Sequence, residues 1–206
     1  MKFKTSAILT VLTVVATLGY VTACDSSSRL ATKISGPWSG TSVRFDKKTV
    51  TDGTYTPVYE FTKVGSGSEG TVTMTARISI TLPINSQVNA EGTAPVSATA
   101  AAVATVSGLW HAHDEDEIKL AFDPATLKVD VDPDVQFAIA SVLTNYDTDS
   151  TATVSPQVLK AFRDQATHGM NDVITKIHEF DDIHFQSDNM MTAEIHKQRQ
   201  TFVRPQ

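Results

Sequence analysis

Between Val72 and Leu82 the chain alternates without a break. Val72, Met74, Ala76, Ile78, Ile80 and Leu82 are apolar, and every residue between them is Thr, Ser or Arg. A period of two predicts a strand with one face buried and the other wet. The same period runs through 96–112, where Val96, Ala98, Ala100, Ala102, Ala104, Val106, Trp110 and Ala112 hold even positions and Ser and Thr recur on odd ones. That much alanine also suits a helix, but Thr, Val and the two-residue period favour a strand. Shorter runs of the same kind at 43–45, 58–63, 118–122, 127–131, 183–185 and 191–195 bring the count to about eight. Gly65 to Gly70 lies between two of them and reads as a hairpin loop.

Two of the pairings can be set by facing. Phe122 opposite Leu127 aligns the apolar faces of 118–122 and 127–131, leaves 123–126 as a loop starting Asp-Pro, and sets Lys119 opposite Asp130. Near the end, Phe185 opposite Ala193 leaves 188–190 as the loop, with His184 facing Glu194 and Asp182 facing His196. Between these two pairs the period changes. Asp132-Pro133 suits the start of a short helix to Leu143. Ser155 then serves as N-cap with Pro156 at the first helical position. Val158, Phe162, Ala166, Met170, Val173, Ile174 and Ile177 follow at spacings of three and four, one apolar stripe. The expected fold is mainly β: about eight antiparallel strands forming a barrel, with a helical insertion over 134–178 between the sixth and seventh strands.

Ile34-Ser35-Gly36-Pro37-Trp38 is echoed by Val106-Ser107-Gly108-Leu109-Trp110. In each, glycine allows a tight bend where a large aromatic tucks under a sheet.

The first 23 residues read as a secretory signal: Lys2 and Lys4 are basic, 7–18 is mostly apolar, and small residues precede Cys24, the only cysteine. The apolar run is interrupted by Thr10, Thr13 and Thr17 and falls short of the about 20 residues of a membrane span. Val21-Thr22-Ala23-Cys24 looks like a bacterial lipobox, which implies acylation (palmitate among the acyl groups) of Cys24 and a membrane partner through that lipid. Buried acyl chains contribute about 0.8 kcal/mol per CH₂, so several anchor a protein firmly. Residues 24–33 read as a polar tether and 34–206 as the barrel domain. Without the signal, 15 basic residues face 23 acidic ones, a balance of −8. No basic cluster offsets it, which argues against nucleic acid as a partner.

With the lipobox and Gly36-Pro37-Trp38 opening the first strand, the chain resembles the lipocalin-like domain lipoproteins of Bacteroidetes. Ile183 to Thr192 and Phe202-Val203-Arg204 are similar to their closing hairpin. The insertion and the second Gly-x-Trp depart from a plain lipocalin and put a simple up-and-down strand order in doubt. The resemblance implies an eight-stranded barrel attached to the outer membrane or cell surface, and no defined ligand. It also marks Asp149-Ser150-Thr151 as an O-glycosylation pattern centred on Ser150.

Residues with catalytic chemistry are few. There is no Gly-x-Ser-x-Gly and no phosphate loop before a helix, and the one cysteine is assigned to lipid, so an enzyme is not expected and no cofactor is implied. His111 and His113, beside Asp114 to Glu117, are candidate zinc ligands, but Trp110 and Ala112 facing inward send both outward. Asp130 to Asp134 lacks the glycine and distal glutamate of a calcium loop. The remaining clue is side-chain size. Inward alanines at 98, 100, 102 and 104 leave room either for a small apolar or amphipathic ligand or for the helix at 156–178. In the first case Trp38, Met74, Ile78, Ile80, Trp110, Leu120, Phe122 and Val129 line a pocket. In the second the barrel is filled, and the lipoprotein has a structural role or binds an envelope protein.

Overall fold

The computed structural model describes residues 26–84, 96–139 and 155–205. It opens with a helix, α1, over 26–34. Leu30, Ala31 and Ile34 are buried on one side of it, the i, i+1, i+4 spacing of a helical face. Most of the segment expected to be a tether is therefore helix; three apolar residues on one face suffice once a barrel end is there to receive them.

Eleven strands follow: β1 (Gly36–Ser39), β2 (Val43–Arg44), β3 (Gly53–Lys63), β4 (Glu69–Ile84), β5 (Val96–Ala112), β6 (Ile118–Phe122), β7 (Lys128–Val131), β8 (Gln136–Ile139), β9 (Glu179–Ser187), β10 (Met190–Ile195) and β11 (Gln198–Val203). Every pairing is antiparallel. The ring β1–β3–β4–β5–β6–β9–β10–β11 closes where β1 meets both β3 and β11. Eight strands thus form a closed barrel whose neighbours follow chain order, an up-and-down meander. The remaining three extend ring strands. β2 runs on from β1 along β3, while β7 and β8 run on from β6 along β5.

That last arrangement corrects the first expected hairpin. Phe122 does not pair with Leu127; β6, β7 and β8 lie end to end against β5, which is 17 residues long. A short 3₁₀ turn, Pro124–Thr126, joins β6 to β7, with the Asp123 carboxylate accepting from the Ala125 N–H at 2.9 Å. Thr126 fastens this turn to β5 by accepting from the Ser107 N–H at 2.9 Å. Facing alone could not distinguish reversal from continuation, because both keep Phe122, Val129 and Val131 on one side. The long β5 edge decides for continuation: its N–H and C=O groups need partners along its whole length. Lys119 accordingly faces Glu179, not Asp130.

The helical insertion is also later and shorter than expected. Residues 132–135 are irregular and Gln136–Ile139 is strand, paired with Val96–Thr99; residues 140–143 of the expected first helix, and the loop after it, lie outside the described residues. The main helix, α2 (Pro156–Lys176), stands as read, with Ser155 as N-cap and Phe162, Ala166, Met170, Val173 and Ile174 buried. It follows β8, so it does not come between the sixth and seventh strands.

The final hairpin pairs Phe185 with Met191 and His184 with Thr192, two residues from the expected register, and Asp181 with Glu194. The expected parity holds at the two central pairs, where an even shift keeps the same faces buried, and is broken on either side of them by bulges. His184 instead bonds Asp182 at 2.7 Å along its own strand.

The core is one cluster filled from both ends. α1 covers the end where β1 begins and β3 and β11 finish. Trp38 Nε1 donates to the Ile34 carbonyl at 2.7 Å, and Arg204 Nη2 donates to the Lys33 carbonyl at 2.9 Å. The Arg204 guanidinium lies 4.2 Å from the Trp38 ring centroid, a cation–π contact. Gly36 has φ +101°, and a Cβ there would stand 2.6 Å from Arg204 Nη1. Toward the other end α2 contacts β4, β5 and β7. The even-numbered alanines of β5 are buried while Ala101 and Val103 are exposed, so the helix lies on the inner face.

Candidate functional site: a seam cleft floored by two tyrosines

The residues expected to line a ligand pocket come together, but as packed core. Trp38, Met74, Ile78, Ile80, Trp110 and Leu120 are buried; Phe122 and Val129 are half-buried against them. Aromatic rings occupy the space between. Phe61 meets Trp110 edge-on at 5.7 Å, Tyr59 meets Phe180 edge-on at 5.0 Å, and Phe180 stacks on Phe202 at 5.3 Å. The alanine shelf of β5 is covered by α2. Gly169 lets α2 pass close to the β2–β3 connection: a Cβ there would be 2.7 Å from Val50 and 3.0 Å from Phe45.

The barrel wall is open elsewhere. β1 and β11 share a single residue pair, Ser39 with Val203, and β2 pairs with β3. A cleft of about 490 Å³ lies where β2, β3, the last turns of α2 and the β10–β11 hairpin meet. Val173, Ile177 and Ile195 give it apolar walls, and Tyr55 and Tyr59 of β3 reach it from the inner face of the sheet. Arg44, Asp46, Asp172, Lys176 and His196 bring charged or titratable groups to it.

Both tyrosines are more than nine-tenths buried, at 8% and 1% exposure. Neither hydroxyl has a hydrogen-bond partner among the described residues. No fully sealed side-chain polar atom there lacks one, so each hydroxyl keeps contact with the cleft. Burial, followed by the nearby Asp172 carboxylate, pushes the Tyr55 phenol up to about 12. Burial, then Tyr55, pushes Tyr59 up as well. Both therefore stay neutral hydrogen-bonding groups across the ordinary pH range.

Three of the charges around them are paired. Lys176 Nζ lies 2.6 Å from Asp172 and 3.5 Å from Asp46, an ion-pair bridge from α2 to the β2–β3 connection. The Asp172 hydrogen bond is the main reason the Lys176 ammonium is held above its usual range. Asp46 is held below the usual carboxylate range, chiefly by the Lys48 backbone N–H. Across the cleft the β10–β11 turn is His196-Lys197, with φ of 56° and 61°. Two-residue hairpin turns with both φ positive usually use Asn and Gly, so this turn holds two side chains in a strained backbone.

The sequence reading missed this site because it began the strand at Val58. Tyr55, Pro57, Tyr59 and Phe61 are buried alternately with more exposed neighbours. The signal was present, with Pro57 interrupting it and two phenols on an otherwise apolar face.

The candidate metal ligands lie on the β5–β6 hairpin. The rings of His111 and His113 are 6.4 Å apart, and ligand atoms of His113, Asp114 and Glu117 lie within 4.8 Å of one another. Glu117 is already in contact with Lys119, which also bonds Glu179 at 2.6 Å. These two bonds, Glu117 first, hold Lys119 well above its usual range. A cation at this exposed turn would compete with Lys119 for the Glu117 carboxylate. Cys24 and Ser150 lie outside the described residues, and among those described no helix is long and apolar enough to cross a membrane.

In comparisons with protein-family models, curated proteins and solved structures, nothing matches the chain. The fold and the cleft therefore carry the functional reading, together with the sequence motifs.

Proposed function

We propose that this chain is a lipid-anchored, non-enzymatic lipocalin-like protein of the bacterial envelope that binds a small amphipathic molecule. Val21-Thr22-Ala23-Cys24 supports the anchor, and the closed eight-stranded meander is compatible with the lipocalin-like resemblance. The observation that carries binding is the seam cleft: about 490 Å³, with Val173, Ile177 and Ile195 set among charged and amide side chains, and with two tyrosine hydroxyls that no described residue hydrogen-bonds. Ligand sites of a few hundred Å³ with few polar groups on apolar walls are typical of small-molecule binders. The ligand of this reading sits at the seam, beside the barrel core and not at its centre.

A second reading keeps the anchor and dispenses with the ligand: a structural or protein-binding lipoprotein. The packed aromatic core and α2 favour it, since among the described residues the expected lining residues pack against one another as core. Mass spectrometry of small molecules that co-purify with the protein, with a thermal-shift screen, separates the two. Binding predicts a reproducible small molecule and a ligand-dependent rise in melting temperature; neither appearing would leave the second reading. The anchor has its own test. Cys24→Ala should move the protein from the membrane fraction to the soluble fraction, and continued firm attachment would refute lipidation at Cys24.

A further inference from the structure

We infer that the seam cleft takes a molecule with an uncharged hydroxyl or carbonyl at its inner end, hydrogen-bonded by Tyr55 and Tyr59, and an apolar body along Val173, Ile177 and Ile195. This rests on the cleft being a binding site and adds the chemistry of the ligand.

The two phenols reach the cleft from the core side, where their rings are buried. Of the charged groups that reach the cleft, Lys176 bridges Asp172 and Asp46, while Arg44 and His196, which also line it, are exposed to solvent and stay hydrated without a ligand. An ionised group pushed down to the tyrosines would lose its hydration and find Asp172, whose charge reaches Tyr55, already paired with Lys176. An anion there would also face the carboxylate of Asp172, whose influence reaches Tyr55. A cation would find neutral phenols that stay protonated, since burial opposes their ionisation. A hydroxyl or carbonyl loses only ordinary hydrogen bonds to water, and both phenols can replace them, each as donor or acceptor. It also satisfies two buried hydroxyls that otherwise depend on whatever water enters the cleft.

The test uses three probes with one tail and different heads: 1-octanol, octanoate and octylamine, titrated by calorimetry at pH 7 into the mature chain. 1-Octanol should bind at least tenfold more tightly than either charged probe. Tyr55→Phe and Tyr59→Phe each remove a single oxygen and leave the ring packing, and each should weaken 1-octanol binding by about three- to tenfold. Equal or tighter binding of octanoate or octylamine would overturn the inference, as would unchanged 1-octanol affinity in the Tyr55→Phe, Tyr59→Phe double variant. Both results would leave the cleft standing as a site. Binding of none of the three probes would overturn the site itself. Should a variant fail to fold, the wild-type protein gives the same answer by NMR. On adding 1-octanol, the ring Cζ resonances of Tyr55 and Tyr59 should shift and those of other tyrosines should not; unmoved resonances would refute the contact.

Discussion

Tyr55 and Tyr59 show how much depends on where a polar atom ends. Their rings belong to the core, Tyr59 against Phe61, Phe180 and Phe202 and Tyr55 against Phe45, so the residues behave as apolar in packing. Their hydroxyls remain without partners among the described residues, and burial places a cost on ionising them. The fold raises both phenol pKa values above the ordinary 10.0. Below about pH 10 both folded and unfolded chains keep the protons, and the neutral form contributes fully to stability. As pH climbs from 10 toward about 12, where Tyr55 titrates in the fold, the unfolded chain ionises first and stability falls. Tyr55 alone accounts for about 2 to 3 kcal/mol of that loss. Urea unfolding of wild type against the Tyr55→Phe, Tyr59→Phe variant, measured across this range, should show the wild-type curve falling more steeply; parallel curves would mean that the phenols are not desolvated.

At the scale of elements, the two helices and the β6–β8 line are where local pattern and tertiary demand meet. α2 has a clear start at Ser155-Pro156 and a clear stripe, and both appear as read. Gly169 lies in its interior. An interior glycine costs a helix about 1 kcal/mol relative to alanine. The structure gives the reason for keeping it: the helix crosses Val50 and Phe45 there with no room for a Cβ. Gly169→Ala should therefore destabilise by about 1 to 3 kcal/mol through overpacking, despite its better helix propensity. Equilibrium denaturation measures this, and a stabilised variant would mean that α2 packs less closely than described. The β6–β7 junction shows the opposite failure. Its hairpin satisfied facing, turn chemistry and a charge pair at once, yet Asp123-Pro124 makes a 3₁₀ turn that lets the strand line continue. Local consistency across 118–131 carried no information about β5, the edge that both segments needed.

For the whole molecule, α1, the aromatic cluster and α2 share one continuous core with the strands. They should unfold together. Phe162, buried on α2, lies on a different element from Trp38 and Trp110, the only two tryptophans. Phe162→Ala should cost about 3 to 5 kcal/mol and lower the tryptophan-fluorescence midpoint by the same amount as the far-UV circular dichroism midpoint. Separate midpoints would show α2 to be an independent cover that detaches from the barrel.

What the chain determined by itself is the identity of most elements and the facing of their residues. A two-residue period along 72–82 and 96–112, Gly36-Pro37-Trp38, and Ser155-Pro156 each act within a few residues, through side-chain direction, backbone freedom and capping. The closed mainly β barrel and the buried placement of Trp38 and Trp110 follow from them. What only the tertiary structure decided is how those elements share edges: the continuation of β6 into β7 and β8, the two-residue shift between β9 and β10, the helical cap at 26–34, and the sparse join of β1 to β11. Even shifts of register preserve every facing rule, and an edge accepts whichever partner satisfies its hydrogen bonds, so no local pattern chooses among them. The candidate site belongs to this second class. Tyr55, Ile177 and Ile195 are far apart in sequence, and they form one cleft because the barrel wall is left open where β2 and β11 do not pair.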